Sequence, residues 1–271
     1  MSSIEKSGFL SGQISEWIEK HRNENSQWFK LCDDINQFSH DTMFKASIHN
    51  EYLPEIIAAS LYVRAMSNFQ GVILMAERGM INEAKALMRC LLECMFAIVA
   101  VDKDKEIVKQ FVLEDLLQRR DYLKAYKRNK GAGVPKHEGA PPMEEIDNLL
   151  ENINTEIRES NVKEITKRDL AEKAEMVTRY DSAYKLLSGT IHVNARDLEQ
   201  YLELTDTGGI KQILWGPDVK EIDFILFTAA ESMMFVLDAI SRIFSITYED
   251  SWQIILKTYN ELGKGFNENF E

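Results

Sequence analysis

Two long stretches of this chain, residues 84–101 and 222–246, are apolar on nearly every side, yet each carries several charges. The first holds Lys85, Arg89 and Glu93; the second holds Asp223, Glu231, Asp238 and Arg242. A membrane span needs roughly 20 nearly uncharged residues, so neither stretch suits lipid. A helix that is apolar all round belongs at the centre of a bundle, where its few charges must find partners. These two stretches therefore predict an all-α fold with both helices at its core. The first twenty residues contain no signal-peptide core, so the expectation is a cytoplasmic protein without membrane contact.

The rest of the chain agrees with a helical bundle. Only 5 prolines and 13 glycines occur in 271 residues, too few for a many-stranded β protein. Ile14, Trp17 and Ile18 share one helical face. Trp28, Leu31, Ile35 and Phe38 share another, after a cap at Asn25 or Ser26. Pro54 opens a helix that should stop at Gly79. Helices are expected over 82–101 and 102–129. The segment 131–142, with three of the five prolines, breaks regular structure and suits a lid or connection. Further helices should cover 143–160, a short run after the capping-box-like Thr166-Lys-Arg-Asp169, and 177–189 with a bend at Ser188-Gly189. Helix resumes through Ala195–Leu204. Gly208-Gly209 between two short apolar runs predicts a small β-hairpin near 202–215. Helices over 219–245 and 249–262, the latter ending at Gly263, close the chain. The whole is expected to be one domain, 1–271, of about eight to ten helices. In it, N-terminal helices of residues 1–50 pack on a core of about 54–262.

Charge and cysteine content exclude some functions. The net charge is −12, so a grip on nucleic acid would need a local basic patch. Cys32, Cys90 and Cys94 form neither a disulfide framework nor a zinc pattern, and the five histidines are scattered. No metal-binding, phosphate-loop or serine-hydrolase motif is present, so no metal or cofactor is expected.

Three constellations carry chemistry. Arg89 and Glu93, four residues apart, share one helical face among apolar neighbours. They form either an ion pair that pins the bundle's register or a pocket-facing pair that holds a phosphate or a proton. Tyr180, Tyr184, Ser188 and His192 recur every four residues, aligning two phenols, a hydroxyl and an imidazole, with Asn194 and Arg196 just beyond. His192 suits either a core histidine with a backbone partner or a general acid–base. Arg119, Arg120, Lys124, Lys127, Arg128 and Lys130 form a basic stripe interleaved with Tyr122 and Tyr126, followed by Lys136 and His137. Such a stripe either holds RNA or an acidic partner, or is a solvated face answering the acidic helix at 144–159.

At Arg89-Cys-Leu-Leu-Glu93 and Tyr184-Lys-Leu-Leu-Ser-Gly-Thr-Ile-His192-Val-Asn194 the chain resembles a bacterial helical family, domain of unknown function 5677, over about residues 55–245. The resemblance implies that Arg89, Glu93, Tyr184, Ser188 and His192 belong to one cluster. A weaker similarity is to the HEPN group of helical ribonucleases of toxin and phage-defence systems. Those carry an arginine four to six residues before a histidine; here Lys185 stands at the far limit of that range before His192. The leading expectation is a non-catalytic binding or scaffold module, in the stress or phage-defence context that the resemblance implies. The alternative is a metal-independent ribonuclease, with His192 as general acid–base, Arg89 or Arg196 on the phosphorane and the stripe on the strand. A second alternative is a small-ligand sensor with the cluster as pocket. A homodimer is expected from the two apolar helices and the tryptophan-bearing N-terminus.

Overall fold

The computed structural model describes residues 3–129, 142–189, 198–248 and 250–268. Helix α1 (Ser3–Ser7) precedes α2 (Ile14–Glu24) and α3 (Ser26–Lys45). The long pair α4 (Leu53–Glu77) and α5 (Ile81–Lys103) is followed by α6 (Val108–Arg128), α7 (Ile146–Ser160) and α8 (Lys167–Lys173). Next, α9 (Val177–Arg179) runs through a π turn (Tyr180–Tyr184) into α10 (Lys185–Ser188). The hairpin β1 (Leu202–Leu204) and β2 (Ile210–Ile213) then leads to α11 (Ile222–Ile243) and α12 (Asp250–Glu268). This is the all-α bundle with one small hairpin that the sequence predicts.

The two apolar stretches are α5 and α11, and they pack on each other and on α4 at the centre. Met88, Leu91, Leu92, Met95, Phe96 and Ile98 of α5 are buried, as are Ile225, Leu226, Met233, Val236, Leu237 and Ile240 of α11. Each such side chain contributes roughly 1.5–3 kcal/mol by leaving water. By length and composition alone α11 could cross a membrane, but most of it is buried inside the bundle. The core thus covers most of the apolar surface of both helices. α3 covers α11 and α12, while α6 and α7 pair on the outside.

Local signals fix most boundaries. Gly79 ends α4 in a left-handed conformation (φ 69°). Its N–H donates to Ala76 O at 2.9 Å, and Met80 N–H donates to Met75 O at 2.9 Å, the paired bonds of a Schellman stop. Thr166 and Asp169 form a complete capping box at the start of α8. Several boundaries differ from the sequence reading. The helix expected through Leu204 gives way to a 3-10 turn at Glu199–Tyr201 and to β1 from Leu202, where the chain turns to pair with β2. The helix expected from residue 102 begins at Val108, because Asp104 Oδ1 accepts Glu106 N–H and turns the chain through one 3-10 turn. A π turn that the sequence did not signal interrupts the helix at Tyr180–Tyr184; α10 ends at Ser188, and the residues beyond Gly189 that would show the expected bend lie outside those described. Gly263 does not stop α12, which continues to Glu268; a Cβ there would lie 3.2 Å from the Phe227 ring, so glycine permits close helix packing.

Candidate functional site

Arg89 and Glu93 point from adjacent turns of α5 toward Tyr184, at the end of the π turn. Arg89 Nη2 donates to Tyr184 Oη at 2.8 Å, and the Tyr184 hydroxyl donates to Glu93 Oε1 at 2.9 Å. The direct Arg89–Glu93 contact is longer, 3.5 Å, so the phenol is inserted into the ion pair. The guanidinium also lies over the tyrosine ring, 4.9 Å from its centroid. Phe96 meets Tyr184 edge-on, and Tyr180 stacks on it at 4.8 Å. A π turn admits one extra residue per turn, and such turns concentrate at functional positions of helices.

Electrostatics follow from this packing. Tyr184 is 4% exposed, whereas the Arg89 and Glu93 side chains are 22% and 30% exposed. Burial, helped by the hydrogen bond to Glu93, pushes the Tyr184 hydroxyl up to about 12. It is therefore a proton donor to Glu93 and not a base at neutral pH. Arg89 Nε is buried without a hydrogen-bond partner among the described residues.

The remaining predicted positions fall as follows. Ser188 turns its hydroxyl back to Tyr184 O at 2.7 Å, within its own helix, and does not join the relay. His192, Asn194 and Arg196 lie outside the described residues, as do Lys130, Lys136 and His137. The described part of the basic stripe lies on α6 and is largely answered by acids. Arg119 pairs with Asp115 at 2.8 Å, Arg120 with Asp121 at 3.3 Å, and Lys127 with Asp147 of α7. Lys124 and Arg128 are exposed, and Tyr122 stacks on Tyr126.

Beside the relay, a cleft of about 500 Å³ opens between α4, α5, α6 and α8. Glu93 is on its wall together with Arg64, Glu114, Asp115 and Lys167; Leu61, Ala97, Phe111 and Leu170 line it with apolar surface. Cys90 and Cys94 border it too. Burial raises the Cys94 thiol to about 11, so it stays protonated and unreactive.

A second clamp was not anticipated. Arg179 donates to both carboxylate oxygens of Glu231 on α11, at 2.9 and 3.2 Å. Tyr259 of α12 donates to Glu231 Oε1 at 3.2 Å, and the guanidinium lies over the Phe235 ring at 4.4 Å. Glu231 stood out in the sequence as an acid in an apolar helix that required a partner; its partner, 52 residues away, did not. Among the described residues no three His, Cys, Asp or Glu side chains gather as a metal-binding group.

No curated protein and no solved structure matches the chain. A family model does, described as a family of unknown function (DUF5677), over residues 55–210. It ends within the hairpin, short of α11. It spans more than half of the chain and includes Arg89, Glu93 and Tyr184, and the chain therefore belongs to the DUF5677 family.

Proposed function

We propose that this protein is a non-catalytic binding module, and that its partner is a small amphipathic ligand seated in the cleft beside Glu93. The observation that carries this reading is the closed relay. The Tyr184 hydroxyl engages both Arg89 and Glu93 and is held protonated, so among the described residues of the cluster it is not a poised nucleophile. It acts as a latch that holds α10 against α5 and fixes the position of Glu93. The cleft volume falls in the range of small-molecule sites, roughly 300–1,000 Å³. Its wall mixes apolar surface with both signs of charge, which fits a ligand carrying an apolar body and a charged or zwitterionic end.

Two measurements test this. A thermal-shift screen with amino acids, polyamines and nucleotides should find a ligand that raises Tm, and Arg64→Ala or Glu93→Gln should abolish the shift. In parallel, single-stranded RNA incubated with the protein in chelator should remain intact. RNA cleavage that disappears in a folded His192→Ala variant would replace this reading with the ribonuclease one, in which the α6 stripe holds the strand.

A further inference from the structure

The hairpin carries several exposed apolar side chains close together. Leu202 pairs with Ile213 and Leu204 with Ile210, so these four side chains occupy one face of the two-stranded sheet. Glu203 pairs with Gln212 on the other face, where Glu203 also binds Lys211. The residue added by the bulge at Glu203/Leu204 preserves this segregation. Apolar residues therefore line this face, and Leu202 at its base is half-buried. Leu204, Ile210, Ile213 and Trp215, which continues β2 in the same alternation, are between 56% and 69% exposed. The sheet is joined to the helices at its base, by Asn82 donating to the Tyr201 hydroxyl at 2.7 Å and Asp218 N–H donating to Gly79 O at 3.0 Å. An isolated two-stranded sheet is marginal in water and needs its apolar face covered.

We infer that the apolar face of the hairpin is the interface of a homodimer, packed against the same face of a second copy around a two-fold axis. Area supports a second copy. The exposed parts of Leu204, Ile210, Ile213 and Trp215 amount to on the order of 450 Å² per copy, and a stable interface buries about 800 Å² per partner, of which about 60% is apolar. Charge at the face permits it. Two bodies of net charge −12 repel, so they can meet only where charge is absent or balanced. The apolar face carries no charge, and Glu203 and Lys211 cancel on its reverse. The same acid excess disfavours nucleic acid or an anionic lipid surface at this position. Face packing, unlike pairing of strand edges, removes all four side chains from water while the polar reverse stays wet. A two-fold contact needs only one self-complementary patch, and this face supplies it.

Light scattering coupled to gel filtration tests the inference. The wild-type protein at about 50 μM should have twice the chain mass of 31.3 kDa, at a concentration where ordinary interfaces are saturated. Ile210→Lys combined with Ile213→Lys should halve that mass with an unchanged far-ultraviolet spectrum, since both positions are exposed. Gln212→Lys, on the reverse face, should remain dimeric. Should the double variant misfold, hydrogen exchange of wild-type residues 202–215 decides: their protection should rise with protein concentration across the dimer transition. A monomeric wild type would overturn the inference, and so would a dimer indifferent to the double variant or equally broken by Gln212→Lys. A monomer that floats with neutral lipid vesicles would assign the face to a membrane surface instead.

Discussion

The hydroxyl of Tyr184 sits between a cation and an anion that are too far apart to bond well directly. Removing it in Tyr184→Phe leaves Arg89 and Glu93 free to close their 3.5 Å gap, so part of the loss is recovered. Hydrogen bonds to charged groups contribute roughly 1.5–3 kcal/mol, and partial solvent screening reduces that, so the expected loss is about 1 kcal/mol by chemical denaturation. Arg89→Ala should cost more, because it removes the donor and the cover over the ring together. The raised Tyr184 pKa gives a pH signature. Its folded value, about 12, lies above the ordinary 10.0, so its stabilisation is complete below pH 10 and is lost as pH rises toward 12. Between pH 10 and 12 the wild type should therefore lose more stability than Tyr184→Phe. Parallel pH–stability curves for the two proteins would refute the relay. Part of this site was legible beforehand. A four-residue spacing places Arg89 and Glu93 on one face, and the same spacing places Tyr184 on its own stripe. Their meeting was not fixed by spacing, since 91 residues separate Glu93 from Tyr184 and no spacing rule spans such a distance; the family resemblance joined them.

Between elements, bidentate geometry decides which contacts matter. Arg179 ties α9 to α11 through both oxygens of Glu231 while its guanidinium plane covers Phe235. Lysine reproduces neither the fork nor the stacking, so Arg179→Lys should lower stability by about 1–2 kcal/mol despite keeping the charge. An unchanged Tm for that variant would show that the contact adds nothing. Gly79 joins three elements at once. A Cβ there would lie 2.6 Å from the Trp17 ring of α2 and 2.8 Å from the Asp218 backbone, in a conformation that already favours glycine. Gly79→Ala should cost about 2–3 kcal/mol and loosen the segment entering α11, seen as faster proteolysis near Asp218. The stop at Gly79 was visible in the sequence because a glycine closing a long periodic run has one common use. Gly263 occupied the same kind of place and did something else: it admits Phe227 between α11 and α12. The two cases differ only in a tertiary neighbour, which a local pattern does not contain. The same holds for the π turn, whose backbone shift leaves the four-residue stripe of Tyr180, Tyr184 and Ser188 unchanged in the sequence.

Across the whole molecule, stability should grade from the centre outward, because the apolar surface is concentrated in two helices. α5 and α11 are covered by α4, α3 and one another, so their central amides cannot reach water without the core opening. α7 packs mainly on α6 and buries only Ile146, and the hairpin touches the bundle near its base. Local opening free energies follow such differences in burial. For a domain of ordinary stability, amides near Leu91–Phe96 and Ala229–Met233 should exchange only through global unfolding, with protection of at least about 10⁴-fold. Amides of α7 should be protected far less, and those of the hairpin in dilute protein less than about 100-fold. Low denaturant separates these classes: exchange in α5 and α11 should accelerate with the slope of global unfolding, and exchange in α7 should hardly respond. If α7 amides tracked those of α11 at every denaturant concentration, the bundle would open as one unit, and α6 and α7 would be part of the core instead of a layer upon it. That distinction bears on the cleft, because Glu114, Asp115 and Phe111 reach it from α6 while Glu93 reaches it from α5. A mobile outer wall against a rigid inner one would let a ligand enter without disturbing the Arg89–Tyr184–Glu93 relay.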